Sequence, residues 1–304
     1  MNMNTIFRTL VGMAAVTFLV SSCNVDNKKI IYSPEGTDAA VTFLSSVASN
    51  TEIEAKATTY SITVARSKSD DAATVKIAST MPEGVSVPQS ISFAAGESET
   101  SLTLDISQME VGKTYTGKVS FADSLQFNKK ISTSSVTCTL AKAYTWVSLG
   151  EGEFYDGLAL QPSDTDLGIV KVNVLKAEGF NRWRIVEPFP KANVIAAWDE
   201  SSYVGGASSY IEFYTVDDAA GTVKFDGKIY NGLNYSSMGK IVYVYPSAYN
   251  SAYAPYDAYN KFIGDYVQFY VPRLIEGTSS WFNFGALYLA MPGAGDLETW
   301  LNAE

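Results

Sequence analysis

Histidine is absent from all 304 residues. That excludes Ser-His-Asp and Cys-His catalysis, an imidazole general base and His-ligated zinc. Cysteine is scarce as well: Cys23 and Cys138 are the two. A cysteine-rich metal site is excluded, and any chemistry would rest on carboxylates, Lys, Tyr or a bound hard cation. Positive charge is short, with 22 Lys and Arg against 32 Asp and Glu, a net charge of −10. No basic cluster stands out, so nucleic acid is not expected as a partner. Long apolar runs are missing too. The uncharged stretch Leu10–Val20 is about half of the ~20 residues that a membrane-spanning helix needs.

What is present begins with that stretch. Arg8 and the amino terminus precede it, and Leu19-Val20-Ser21-Ser22-Cys23 closes it. A basic start, a short apolar middle and small residues at the cut make a secretory signal. A small residue before Cys resembles the lipobox of bacterial lipoproteins. The resemblance implies a signal peptide over residues 1–22, lipidation of Cys23 and a tether over 23–34, with the acyl chains as the contact with the membrane. Asn24 stands where an Asp would imply inner-membrane retention, so outer-membrane sorting is expected. A single acid, Asp26, follows the Cys before Lys28 and Lys29, which leaves surface-exposed and periplasmic placement both open. With Cys23 lipidated, Cys138 has no disulfide partner and is expected as a small buried apolar residue.

Aromatic residues divide the chain. Of the 39 Phe, Tyr and Trp residues, nine precede Tyr144, and every Trp follows it. This places a domain boundary near Lys142. The first half alternates apolar and polar residues in short runs: Tyr60, Ile62 and Val64; Val75 and Ile77; Leu102, Leu104 and Ile106; Val136, Cys138 and Leu140. Period-two alternation marks half-buried strands. Turn residues separate the runs at Ser69-Asp70-Asp71, Met81 to Gly84, Ala95-Gly96-Glu97 and Val111-Gly112-Lys113. Ile91 to Glu97, followed by a strand from Ser101 to Ile106, resembles Calx-β and related immunoglobulin-like modules. Gly112-Lys113-Thr114-Tyr115 resembles a tyrosine corner, which implies that Tyr115 bonds back to the backbone. An immunoglobulin-like β-sandwich is therefore expected over residues 35–142, in the role of a spacer or adhesion unit. Asp70 and Asp71 read as a solvated turn rather than a calcium loop.

The second half, residues 143–304, reads as a further antiparallel β domain, sandwich or jelly-roll-like, so the whole chain is expected to be all-β. Trp146-Val147-Ser148-Leu149-Gly150-Glu151-Gly152 and the run Arg182 to Phe189 resemble motifs of uncharacterised lipoproteins of the Bacteroidota, and no activity attaches to either. Strands are predicted at Ile169–Leu175, Tyr210–Val216, Val223–Phe225, Lys240–Tyr245, Tyr266–Val271 and Phe284–Leu289. Asp217 to Gly221 and Asp226-Gly227 read as hairpin turns. A short helix is predicted at Asp296–Leu301.

Two features bear on function. Tyr249, Tyr253, Tyr256 and Tyr259 lie among Asn, Ser, Ala, Pro and Asp with no strand period, so they read as an open surface loop. Exposed Tyr rings can stack on sugars while Asn and Asp bond the hydroxyls; the same rings could instead pin a long loop to its own domain. Trp198 and Tyr203, beside Gly205-Gly206, are a second candidate surface. The paired acids Asp164/Asp166, Asp199/Glu200 and Asp217/Asp218 read as turns, because a glycosidase brings its two carboxylates together from separate strands. No metal and no cofactor is called for. Three function classes follow, in this order: a non-catalytic carbohydrate-binding lipoprotein of the cell envelope, a structural or adhesion lipoprotein binding a surface protein or no small ligand, and a carboxylate-based hydrolase.

Overall fold

The computed structural model describes residues 41–67, 69–122, 133–236, 238–278 and 281–303. The signal peptide, Cys23 and the tether expected over 23–34 lie outside them. The described residues fall into two compact units divided between Ala143 and Tyr144.

The first unit has eight strands: β1 (Val41–Phe43), β2 (Val47–Ile53), β3 (Thr59–Arg66), β4 (Ala73–Ser79), β5 (Ser90–Phe93), β6 (Glu99–Asp105), β7 (Thr114–Phe121) and β8 (Ser135–Lys142). One sheet runs β1-β3-β6 and the other β2-β8-β7-β4-β5. All pairings are antiparallel except β2 with β8. The alternation seen in the sequence is the reason for the layering. Leu102, Leu104, Val136, Cys138 and Leu140 are fully buried, while Thr103 and Thr137 between them face out. Each such aliphatic side chain contributes ~1.5–3 kcal/mol by leaving water. Cys138 sits in this core, and burial pushes its thiol pKa up.

The tyrosine corner is formed: the Glu110 N–H donates to the Tyr115 phenol oxygen at 3.0 Å. Gly84 passes beneath that ring with φ +100°, and a Cβ there would stand 2.7 Å from the ring. The turn at Asp70-Asp71 has a hub that the sequence did not reveal. The buried Arg66 donates to the backbone carbonyls of Ser69, Asp71, Ala94 and Glu97, so its own cation ties the two loops together.

The second unit has ten strands: β9 (Trp146–Asp156), β10 (Val170–Ala177), β11 (Arg182–Val186), β12 (Tyr210–Asp217), β13 (Thr222–Phe225), β14 (Lys228–Asn234), β15 (Lys240–Val244), β16 (Lys261–Ile263), β17 (Tyr266–Ile275) and β18 (Trp281–Ala290). Helix α1 (Lys191–Ala197) follows β11, and α2 (Pro246–Tyr249) leads into a 3-10 helix (Ser251–Tyr259). Helix α3 (Leu297–Leu301) ends the unit, capped by Asp296. The strands pair antiparallel in the order β9-β10-β11-β12-β13-β16-β17-β18, and β18 pairs with β9, so eight strands close a ring. The free edge of β17 is shared: β16 takes Tyr266–Gln268, and β15, with β14 beyond it, takes Arg273–Ile275. A ring of eight strands leaves an interior that side chains just fill. Phe154, Phe213, Phe225, Phe269, Val271, Leu287 and Leu289 fill it.

The turn at Asp226-Gly227 corrects an expectation. β13 and β14 are not partners: β13 pairs with β12 and β16, and β14 with β15. Asp226-Gly227 instead carries the chain out of the ring into the β14-β15 branch. The turn at Asp217 is a hairpin as expected, with the Asp217 carboxylate accepting from the N–H groups of Ala219 and Ala220.

A polar knot lies within the apolar interior. The buried Asp156 carboxylate accepts from the Leu158 N–H at 2.9 Å, from the Arg273 guanidinium at 3.1 Å and from the Tyr243 phenol. Asn231 donates to the same phenol oxygen at 2.7 Å. Gly285 makes room for Arg273, since a Cβ there would meet the guanidinium carbon at 2.0 Å.

Candidate functional site

Tyr249 to Tyr259 is not an open loop. It is the end of α2 followed by a nine-residue 3-10 helix. Three residues per turn place side chains at i and i+3 one above another. Tyr253, Tyr256 and Tyr259 therefore form a row, which Tyr249 extends. Ring centroids along it are 5.6, 6.1 and 6.1 Å apart. A 3-10 helix this long is uncommon, and here aromatic packing holds it. On β17 the odd-numbered residues from Val267 to Val271 point inward, which turns Tyr270 outward. Tyr270 and Phe284 of β18 stack at 5.4 Å and brace the row: Tyr256 lies 5.0 Å from Phe284, Tyr253 5.4 Å from Phe284 and Tyr259 5.6 Å from Tyr270.

The row is braced and still open to solvent. Tyr249 is 37% exposed, Tyr256 38% and Tyr259 52%. Among the described residues the phenols of Tyr249, Tyr256, Tyr259 and Tyr270 donate no hydrogen bond to protein, and the arginines and lysines that stack on rings elsewhere do not stack on these. Their neighbours have other duties than the sequence suggested. Asn250 accepts from the Ala252 N–H and caps the helix. Asn260 is buried and exchanges hydrogen bonds with the backbone of Tyr270. Asp257 accepts from the Ser247 N–H. Buried Tyr245 nearby donates to the Val223 carbonyl, and burial, with the charge of Asp257 second, pushes its pKa well up. Polar contacts to a ligand would come from the phenols rather than from Asn or Asp.

Trp198 and Tyr203 are placed differently. The Trp198 indole donates to the Leu158 carbonyl at 2.6 Å, and both rings pack against the core. Tyr203 covers Gly232, where a Cβ would stand 2.5 Å from the ring. No ring contact joins either to the tyrosine row among the described residues. These contacts tie both rings to the fold. The paired acids are turn residues. Asp199 accepts from Ser201 and Ser202, hydrogen bonds that hold its pKa below the usual carboxylate range. Asp166 accepts from the Gly168 N–H.

A second aromatic surface was missed. Arg182 and Arg184 alternate outward on β11, and one carboxylate, Glu212 of β12, serves both: Arg184 Nε donates at 2.8 Å, and Arg182 Nη1 donates to the other oxygen. The Arg184 guanidinium carbon stands 4.1 Å from the Trp146 ring and 4.2 Å from that of Tyr210. That of Arg182 stands 5.0 Å from Tyr144 and 4.3 Å from Tyr214. The i, i+2 spacing of the arginines was a usable signal. Tyr210 and Tyr214 come from the adjacent β12, Trp146 from β9 beyond β10 and Tyr144 from the segment before β9, so the rings depend on the fold.

No family model matches the chain, and no curated protein matches it. Solved structures do. A multidomain protein including DUF1735 from Bacteroides ovatus is 12% identical, with a TM-score of 0.33, over 83% of this chain and 92% of that one. The calcium-binding domain CBD12 of CALX1.1 is 10% identical, with a TM-score of 0.27, over 48% of this chain and 78% of that one. The class 5 fimbriae chaperone CfaA is 12% identical, with a TM-score of 0.23, over 48% and 90%.

Proposed function

We propose that this chain is a lipid-anchored, non-catalytic protein of the cell envelope, carried on the outer membrane, whose second unit binds polysaccharide along the tyrosine row. The first unit serves as the spacer between anchor and binder. One observation carries the reading: Tyr253, Tyr256 and Tyr259 lie in line on one face of the 3-10 helix, Tyr249 of α2 extends the row, and the row is braced from beneath with about half of Tyr259 in solvent. Aromatic rings held in place by packing bind with little loss of freedom, which favours affinity. The phenols supply donors and acceptors to sugar hydroxyls. Among the described residues no cation stacks on Tyr249, Tyr256 or Tyr259, which suits a neutral glycan.

Two experiments test this. Affinity electrophoresis of the mature chain through gels containing neutral glucans, mannans and galactans should show retardation by at least one. The double variant Tyr249→Ala/Tyr259→Ala should lose it, because each stacked ring is worth ~1–3 kcal/mol by the measure of base stacking. Free migration in every gel would give first place to the structural or adhesion reading. For the anchor, a palmitate analogue should label the wild type in cells and leave Cys23→Ala unlabelled; equal labelling of both would remove the lipoprotein assignment.

A further inference from the structure

We propose that the cleft beside Arg182 is a second carbohydrate subsite, selective for a sugar that bears a carboxylate. The cleft measures about 380 Å³, and Tyr144, Phe180, Asn181, Arg182, Tyr214 and Asp218 are among the residues lining it. Its lining carries one guanidinium, Arg182, and one carboxylate, Asp218. Two guanidinium groups share the single carboxylate of Glu212. Beyond that carboxylate, Arg182 makes no hydrogen bond to protein among the described residues, which leaves Nε and Nη2 as donors. The side chain of Arg182 is 20% exposed and that of Arg184 27%.

The geometry selects the ligand. The rings of Tyr144 and Tyr214 flank the Arg182 guanidinium, so a partner reaches it along the edge, in its plane. That is the approach by which a guanidinium binds a carboxylate through parallel N–H bonds, and a lysine cannot reproduce it. Phe180 sits edge-on to Tyr144 at 5.0 Å and is itself exposed, giving the cleft an apolar wall for the face of a pyranose ring. Asn181 and Asp218 also line the cleft, joined by a 2.9 Å hydrogen bond, and Thr215 also donates to Asp218. Their spare lone pairs can accept from sugar hydroxyls. An isolated anion would gain from Arg182 alone and meet the charge of Asp218. An acidic sugar uses both.

The subsite is separate from the tyrosine row, so each can fail alone. The test is calorimetric titration of the mature chain with oligosaccharides of galacturonate, glucuronate and mannuronate, each beside its carboxyl-reduced counterpart. At least one acidic form should bind, and its reduced counterpart should bind at least about tenfold more weakly. Arg182→Lys keeps the charge and loses the fork, and should weaken the acidic form by about tenfold without changing the reduced one. Absence of binding by every uronate, equal affinity for acidic and reduced forms, or unchanged affinity in Arg182→Lys overturns the proposal. If Arg182→Lys does not fold, Phe180→Ala at its exposed turn decides: weakened uronate binding supports the subsite, and unchanged affinity overturns it.

Discussion

The two units solve the same problem, an all-β core without disulfides, in opposite ways. The first is aliphatic. Val, Ile and Leu fill the space between its sheets, with a few rings such as the stacked pair Phe43 and Phe121 at 4.4 Å. Its outward strand positions are largely Ser, Thr and short charged residues. The second is aromatic inside and out. Trp183, Phe213 and Phe269 fill the ring of strands, yet Tyr210, Tyr214, Tyr256, Tyr259 and Tyr270 lie on its outer surface. Aromatic rings inside a core need no further explanation. A braced row of them outside does. A fold needs only the inner set, so the outer rings are where function is to be sought.

The buried knot of the second unit should give the largest effect. Asp156→Ala leaves Arg273 and Tyr243 buried without their partner, and breaking a buried pair from one side costs ~3–5 kcal/mol. Every Trp lies in the second unit, so tryptophan fluorescence follows that unit selectively in urea. Its midpoint should fall while the far-ultraviolet circular dichroism signal of the first unit keeps its own transition. A joint shift of both would show that the units do not unfold separately. Leu104→Ala is the converse: a cavity in the aliphatic core should cost about 2–5 kcal/mol and leave the tryptophan transition in place.

Alkaline pH should separate the units by a smaller margin. Burial, with the charge of Asp156 second, raises the Tyr243 pKa well above its ordinary value, and burial raises that of Tyr245. In the unfolded chain both phenols ionise near ~10. Their contribution is therefore complete below that pH and is lost as pH rises through and beyond it, because only the unfolded state releases the protons. The first unit has the half-buried Tyr60, the thiol of Cys138 and the exposed Lys113, hydrogen-bonded to Glu110, as its raised groups. Urea midpoints between pH 9 and 11 should fall more steeply for the tryptophan-reported transition; parallel slopes would contradict this.

Much of the fold was legible because strand alternation is local. Leu102, Leu104, Val136, Cys138 and Leu140 are inward as their spacing predicts, and the strands expected at Tyr210 and Tyr266 start on those residues. Closure of the ring was not legible, since β18 finds β9 through pairing between distant segments. The hairpin expected at Asp226-Gly227 failed for the same reason: turn residues fix a turn, and not which strands pair across it. The tyrosine row was found as a set of residues but read as a loop. Its period of three matches neither a strand nor an α-helix, and its braces Tyr270 and Phe284 belong to strands read as packing. Arg182 and Arg184 stood in plain view, but their aromatic flanks come from Tyr144, from Trp146 of β9 and from Tyr210 and Tyr214 of β12, and only the fold brings them together.

The central claim is that the outer tyrosines serve binding and the inner rings serve the fold. Tyr259, at the exposed end of the row, tests it most directly. Thermal melting and titration with a glycan retained by the wild type, both performed on Tyr259→Ala, should give an unchanged melting temperature and affinity at least about tenfold weaker, equivalent to 1.4 kcal/mol. A lowered melting temperature with unchanged affinity would make the row a brace for its own helix and contradict the account.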